Sequence, residues 1–477
     1  MSWVFFVGDH AYKLKKPVRT AFLDFSTVEA RRLDCEREVE LNRRLAPDVY
    51  EGVATVTGPD GRVCDHLVVM RRMPDDRRLA ALAVAGEPGG RLRRCLFDVA
   101  RRLAEFHAGA ARSAEIDAAG SQAAIAARWL ANTAELQPFG DAVVDAAMVD
   151  EVDGLAARYV AGRGPLFEQR IAAGRVVDGH GDLLADDVFC LDDGPRILDC
   201  LEFDDGLRWG DGLADAAFLA MDLERLGRPD LATVFLAAYK GASGDSWPTS
   251  LADHHVAYRA QVRSKVACLR AEQGEDTAGQ ARTLLAIARD HLRRSAVRIV
   301  LVGGLPGTGK STVAAGLGHH LGWPVLRSDV VRKELAGMPG QPAEPAYRQG
   351  LYDAASTERT YRELVARAAA LTSSGRSVVL DASWTDEAHR ELARAMAAGT
   401  ATDVFELRCV APASVAAGRI ERRHRCTDDP SDATPAIARA MSNDAEPWPR
   451  AAVVDTSGSL DEALSDALAV VVAPPAR

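Results

Sequence analysis

Hydrophobic and polar positions change rhythm several times along the chain. Near the start, the apolar run Trp3 to Val7, a turn at Gly8-Asp9 and the alternating segment Ala11 to Lys15 predict two strands. Helical spacing follows from about Thr27 to Leu45, then strand-like segments Gly52 to Thr57 and His66 to Met70 flank the turn Gly58-Pro59-Asp60-Gly61. From Leu92 to His107, Ala123 to Leu136 and Val143 to Val160 the apolar period is helical. Short strands are predicted near Arg175 to Asp178, Val188 to Leu191 and Arg196 to Leu198, then helical stretches Leu213 to Leu226, Asp230 to Lys240 and Ala252 to Leu292. A boundary falls near Ser295, after which strand and helix signals alternate as in a parallel α/β sheet. The predicted organisation is a small β-rich lobe over 1–75, a helical lobe over 76–295 and an α/β domain over 296–477.

The strand Arg298 to Val302 runs directly into Gly304-Leu305-Pro306-Gly307-Thr308-Gly309-Lys310-Ser311, which fits GxxxxGK[ST], and Thr312 to Leu317 continues as a helix. In that context backbone N–H groups and the helix N-terminus face nucleotide phosphates. Gly304, Gly307, Gly309 and Thr312 are therefore candidate phosphate-binding positions, with Lys310 on the β and γ groups and the Ser311 hydroxyl on Mg²⁺. The chain lacks an NKxD guanine-reading signal, which favours ATP over GTP.

A second constellation lies upstream. His180-Gly181-Asp182 and Asp187 match the spacing of an HxDxxxxN catalytic loop, and Asp199 follows Asp182 by seventeen residues at the end of Arg196-Ile197-Leu198. Phosphoryl transfer to a hydroxyl needs a carboxylate that accepts the proton and further oxygen ligands for Mg²⁺, so Asp182 is the candidate base and Asp187 and Asp199 the candidate metal ligands. Lys13, in Ala11-Tyr12-Lys13, is placed to hold ATP, with Glu38 on the next helix as its partner and Lys15 as a fallback on the same strand face. On these residues, with Leu103 to His107 in support, the first ~295 residues resemble the aminoglycoside-phosphotransferase family, small-molecule relatives of protein kinases. The resemblance implies a bilobal protein-kinase-like fold and ATP-dependent phosphorylation of a hydroxyl on a sugar-like acceptor. Two departures stand out: Asp187 replaces the family's Asn, and the glycine-rich hairpin ahead of the lysine strand is expected to be short or missing.

In the α/β domain, Asp329 after the strand Val325 to Arg327 is the candidate contact for an acceptor hydroxyl, and Asp381, ending Ser377 to Leu380, takes the position of a carboxylate that orients Mg²⁺. Arg419 and Arg423 precede a turn-rich segment and are candidates for closing on the γ-phosphate. From Arg298 to about Val470 the chain resembles the small P-loop kinases grouped with gluconate kinase, chloramphenicol phosphotransferase and zeta-type toxins, which share a scaffold and differ in acceptor. The expected fold class is thus α+β followed by α/β, a kinase-like domain joined to a P-loop NTPase domain.

Composition narrows the partners. A net charge of −10 over 477 residues, without a basic block, argues against nucleic acid, and no apolar run reaches the length of a membrane span. The eight cysteines are scattered without a CxxC pair and are expected to be reduced core residues of a cytoplasmic protein. Only seven of the 58 basic residues are Lys, and four of those, Lys13, Lys15, Lys16 and Lys310, fall in or beside the two nucleotide sites. The expected function is an ATP- and Mg²⁺-dependent kinase of a small-molecule acceptor. Two rivals are a regulatory ATPase with a ligand-sensing pseudokinase domain and a toxin-like kinase of nucleotide sugars. The oligomeric state and the acceptor are left open by the sequence.

Overall fold

The computed structural model describes residues 2–19, 24–86, 90–338, 349–423 and 434–472. They fall into two compact units, one of residues 1–157, 167–247 and 251–294, the other of 158–166, 248–250 and 295–477.

The first unit opens with an antiparallel sheet of β1 (Ser2–Val7), β2 (His10–Lys15), β3 (Tyr50–Thr57) and β4 (Val63–Arg71), in the order β1-β2-β4-β3. In its register Lys13 stands opposite Val4 on one side and Val68 on the other, so the lysine lies on a central strand. The helix Val28–Asn42 starts where Thr27 accepts the Ala30 N–H, and it turns Cys35, Glu38 and Val39 inward. Phe189 and Leu198, more than a hundred residues further on, complete the core around Cys35, Val39, Tyr50 and Val68. Helices then dominate, including Arg91–Gly109, Gln122–Leu136, Gly212–Arg225, Pro229–Ser243, Thr249–Glu272 and Ala278–Ser295. Two small antiparallel ribbons, β5 (Val176–Asp178) with β8 (Trp209–Asp211) and β6 (Val188–Leu191) with β7 (Gly194–Ile197), bracket the loops that carry Asp182 and Asp199.

Three sequence expectations are corrected here. The helical stretch 252–292 is two helices, broken at Gly274, whose φ of +91° lies in the left-handed region that ends helices. Strand β8 was hidden because Trp209-Gly210-Asp211 is short and lacks alternation. The cysteines are not all reduced: Cys95 and Cys190 form a disulfide across 95 residues of sequence, while Cys35, Cys200, Cys268 and Cys409 are buried thiols.

The second unit is a parallel sheet of β9 (Arg298–Gly303), β10 (Val325–Arg327), β11 (Val378–Asp381), β12 (Asp403–Val410) and β13 (Ala452–Asp455), ordered β10-β11-β9-β12-β13. Its central strands are apolar on both faces. Ile299, Leu301, Val378 and Leu380 pack with Tyr361, Leu364 and Trp384, whereas Val300, Val302 and Val379 pack with Val313, Leu317 and Leu407. Strand β12 carries Asp403, Glu406 and Arg408, and those charges obscured it in the sequence. Glu406 is buried because Arg394 meets it at 2.6 and 3.0 Å and the Trp448 indole N–H donates to it. Among the described residues, no helix is long and apolar enough to cross a membrane.

Candidate functional sites

In the first unit the sheet and the helix Val28–Asn42 bring Lys13 to Glu38: the ammonium donates to Glu38 Oε1 at 2.9 Å and to Asp199 Oδ1 at 2.6 Å. Lys15 lies deeper, only 1% exposed against 15% for Lys13, with Asp34 and Glu38 at 2.6 Å and Glu202 also in contact. Two ammonium groups thus face four carboxylates. The excess negative charge explains why burial and Glu38 push Glu202 up to about 7, while Lys13 is held well above the ordinary lysine value by Asp199 and Glu38 against the cost of burial.

Asp199 takes a left-handed φ of +63°, unusual for a residue with a side chain, and its N–H donates to the Tyr50 hydroxyl at 3.1 Å. Lys13 holds its carboxyl below the usual range despite burial. Asp182 is 35% exposed, with Arg263 at 3.5 Å; burial pushes its carboxyl upward and the guanidinium partly offsets this. Burial pushes the Asp187 carboxyl well above the usual range, reinforced by Asp199 and Asp182. Mutually repelling carboxylates on facing loops are a hard-oxygen donor set that fits Mg²⁺, and Asp187 and Asp199 are the residues that could hold it.

The loop itself is held by a residue whose role was not foreseen. Asp215, on the helix Gly212–Arg225, accepts the backbone N–H of His180 at 2.6 Å and of Gly181 at 3.0 Å. It also meets His107 Nε2 at 3.1 Å, and His107 in turn meets the Tyr239 hydroxyl at 2.7 Å. Although burial opposes ionisation, the hydrogen bond and charge of His107 hold Asp215 far below the usual carboxylate range. Gly179 is required beside it, since a Cβ there would lie 2.3 Å from Asp215 Oδ2. His180 packs inward, with Nε2 at 3.0 Å from the Leu198 carbonyl, which ties the Asp182 loop to the segment bearing Asp199. Asp211 caps the helix and pairs with Arg170 at 2.7 Å. A cavity of about 690 Å³ opens from Lys13, Asp182 and Asp199 to side chains of the helices Gln122–Leu136 and Thr249–Glu272.

In the second unit the six-residue loop 304–309 between β9 and the helix Lys310–Leu321 folds as a phosphate cradle. Gly304, Gly307 and Gly309 have φ of +142°, +83° and +81°. Space is as strict as conformation: a Cβ on Gly304 would come 2.6 Å from the Cys409 carbonyl oxygen, and one on Gly307 2.4 Å from that of Ala416. Lys310 and Ser311 open the helix, whose first turn of N–H groups has no carbonyl within the helix to bond, and Thr312 follows exposed. Asp381 ends β11, with Arg327 Nε donating to its Oδ2 at 3.2 Å; its Oδ1 is buried without a hydrogen-bond partner in this structure. Burial pushes the Asp381 carboxyl up, with Lys310 and Ser311 as the nearest opposing influences. A buried, unsatisfied carboxylate oxygen beside the Ser311 hydroxyl fits an Mg²⁺ held with its water shell.

Asp329 lies in the first turn of the helix Ser328–Leu335, close enough to raise the Asp381 and Tyr361 ionisations. Arg419 sits against the loop, donating to the Thr456 hydroxyl at 3.1 Å and carbonyl at 2.6 Å, and Thr456 donates to the Thr308 carbonyl at 2.6 Å. The side chain of Arg423 and the turn that follows it lie outside the described residues. Sequence reading passed over Tyr361, whose hydroxyl meets the Ser383 hydroxyl at 3.0 Å and accepts the Trp384 N–H at 3.2 Å, and whose ring stacks on His389 at 3.9 Å. An aromatic on a helix otherwise rich in Ala and Arg was its only sequence signal.

Residues 299–448 match the family model described as AAA domain. The solved structures similar to parts of the chain include the choline/ethanolamine kinase family protein from Mesorhizobium loti (15% identity, 61% of this chain and 90% of that one, TM-score 0.38) and a gluconokinase from Sinorhizobium meliloti 1021 (21%, 37% and 91%, TM-score 0.28). Over nearly its whole length the chain is similar to two mycobacterial proteins, Rv2004c of Mycobacterium tuberculosis and Mb2027c of Mycobacterium bovis. Each is 44% identical over 466 residues, covering 97% of this chain and 92% of its own. A kinase-like unit followed by a P-loop unit, with identity of that extent running through both, makes this chain a member of the family of Rv2004c.

Proposed function

We propose that the chain is an ATP-dependent phosphotransferase with two phosphoryl-transfer sites, each acting on a hydroxyl of a small-molecule acceptor in the cytoplasm. The observation that carries the reading is the three-way contact of Lys13 with Glu38 and with Asp199, 186 residues away, beside a braced Asp182. A half-buried lysine held between two carboxylates at the mouth of a cavity is a strongly perturbed cation in a cleft, the setting in which functional groups cluster.

In the first unit Lys13 binds the ATP phosphates, positioned by Glu38. Asp182 orients the acceptor hydroxyl and takes its proton as the oxygen bonds to the γ-phosphorus, while the bond to the β–γ bridging oxygen breaks and ADP leaves. Asp187 and Asp199 would hold Mg²⁺, which when bound would supply charge neutralisation on the phosphates. In the second unit the loop amides and Lys310 hold the phosphates, Ser311 and Asp381 would hold the metal, Asp329 meets the acceptor, and Arg419 approaches the transferring group.

The test is mass spectrometry of products from Mg-ATP with sugars, aminoglycosides and nucleotide sugars, comparing wild type with Asp182→Asn and Lys310→Ala. Product lost in one variant alone assigns that acceptor to one unit. ATP hydrolysis that depends on Lys310 and yields no phosphorylated acceptor would sink the proposal in favour of a nucleotide switch.

A further inference from the structure

The cavity of the first unit has a charge pattern that bears on what it accepts. Most of its carboxylates already face cations: besides Asp199 and Glu202 on the two lysines, Asp211 pairs with Arg170 at 2.7 Å and Glu135 with Lys265 at 3.1 Å. Two arginines in the wall are left over. Arg128 donates to the Trp209 carbonyl at 3.1 Å and has no carboxylate within 4 Å among the described residues. Arg259 spends its guanidinium on the Gly181 and Ala214 carbonyls, at 3.2 and 3.4 Å, and on the face of Phe218, with the shared Asp215 no nearer than 3.8 Å.

These arginines flank an aromatic wall. The Tyr258 ring lies edge-on to Trp129 at 5.2 Å, and the Arg259 guanidinium is 5.8 Å from the Tyr258 centroid. The Trp129 indole N–H is already bonded to His254 Nε2 at 2.9 Å and the ring is only 3% exposed, so Trp129 backs the Tyr258 ring and offers no donor. Burial and the like charge of Arg259 both push Arg128 below its ordinary value. His255, also in the wall, is driven by burial down to about 4, so it is neutral at physiological pH and adds no charge. Arg263, one turn beyond Arg259 on the same helix, reaches Asp182, which links this wall to the proposed base.

A half-buried guanidinium without a counter-ion is a poor host for a polycation and a ready one for a carboxylate or phosphate ester. We propose that the acceptor of the first unit is an anionic ring compound, its carboxylate or phosphate seated on Arg128, its ring against Tyr258, and its hydroxyl turned toward Asp182. The inference rests on the reading of this unit as a phosphotransferase and adds the acceptor's charge class.

The experiment uses the full chain carrying Lys310→Ala, so that the second site is silent, with Mg-ADP present. Calorimetry compares glucuronate and glucose 6-phosphate with glucose and glucosamine, one ring in three charge states. The anions are expected to bind at least about tenfold tighter than glucose, with glucosamine weakest; Arg128→Gln removes that order and Arg128→Lys keeps part of it. Absence of anion binding, glucose or glucosamine binding as tightly as the anions, or an order that survives Arg128→Gln would overturn the inference. The parent reading fails separately. It falls if none of the four compounds, nor any acceptor of the wider panel, yields an Asp182-dependent product, and it stands alone if glucosamine is phosphorylated without any preference for anions.

Discussion

The two candidate nucleotide sites solve one electrostatic problem by opposite means. The second unit gathers its phosphate contacts in eight consecutive residues, where backbone N–H groups, three glycines and one lysine are set by a single turn between β9 and the following helix. The first unit assembles its site from Lys13, Glu38, Asp182, Asp187 and Asp199, held by side-chain pairs that span up to 186 residues. A local site stands or falls with its backbone conformation. A dispersed site depends on the fold around it, and its members are braced by groups that never touch a substrate.

Substitutions can break this contrast. Asp182→Asn should lower product formation at the first site by about 10²- to 10⁴-fold while nucleotide binding there survives, as kinetics with a consumed acceptor would show. Lys310→Ala should remove one of two nucleotide equivalents in a calorimetric titration and leave the other unchanged; loss of both would mean the sites are not independent. Gly307→Ala tests the local design, because it meets both a positive φ and the Ala416 carbonyl; a cost of about 1–3 kcal/mol should weaken second-site ATP binding about 5- to 150-fold. Asp215→Asn tests the dispersed design. It leaves one carbonyl oxygen to accept and sets an amide N–H₂ against the other of the two backbone N–H donors, so the first unit should lose about 1–3 kcal/mol of stability and turn over more slowly with little change in KM for ATP.

The smallest expected effect concerns pH. His291 is opposed by burial, but hydrogen bonds to Asp253 at 2.7 Å and Glu224 at 2.9 Å raise its pKa above the ordinary value. A histidine raised in the folded state gives stability that is complete below its unfolded pKa of about 6.5 and is lost as pH rises through the folded value. Melting temperature should therefore fall as pH rises above about 6.5, and His291→Gln should flatten that slope. An unchanged slope would mean that the charge of His291 does not contribute to it.

The same contrast accounts for what could be read without coordinates. The phosphate loop is legible because its chemistry is contiguous, and the strand β9 announces it with an unbroken apolar run. Asp182 and Asp199 are legible through their mutual spacing and Lys13 through its strand. Asp215 is not, since a carboxylate 34 residues beyond Gly181 has the same local pattern whether it caps a helix or anchors a distant loop. Strand β12 escaped because charges interrupt its hydrophobicity, and the partners that make buried Glu406 tolerable, Arg394 and Trp448, are not its neighbours in sequence. The Cys95–Cys190 pair likewise has no spacing signal: its partners meet through tertiary packing alone.

The unequal depth of the two lysines on β2 has a practical consequence. Lys13, 15% exposed, should react slowly with an amine-directed acylating probe, and only at alkaline pH where some of its ammonium gives up a proton, whereas Lys15, at 1% and enclosed by three carboxylates, should stay unlabelled until the unit unfolds. Peptide mapping of those two amines would then separate nucleotide occupancy, which shields only Lys13, from loss of structure, which uncovers both.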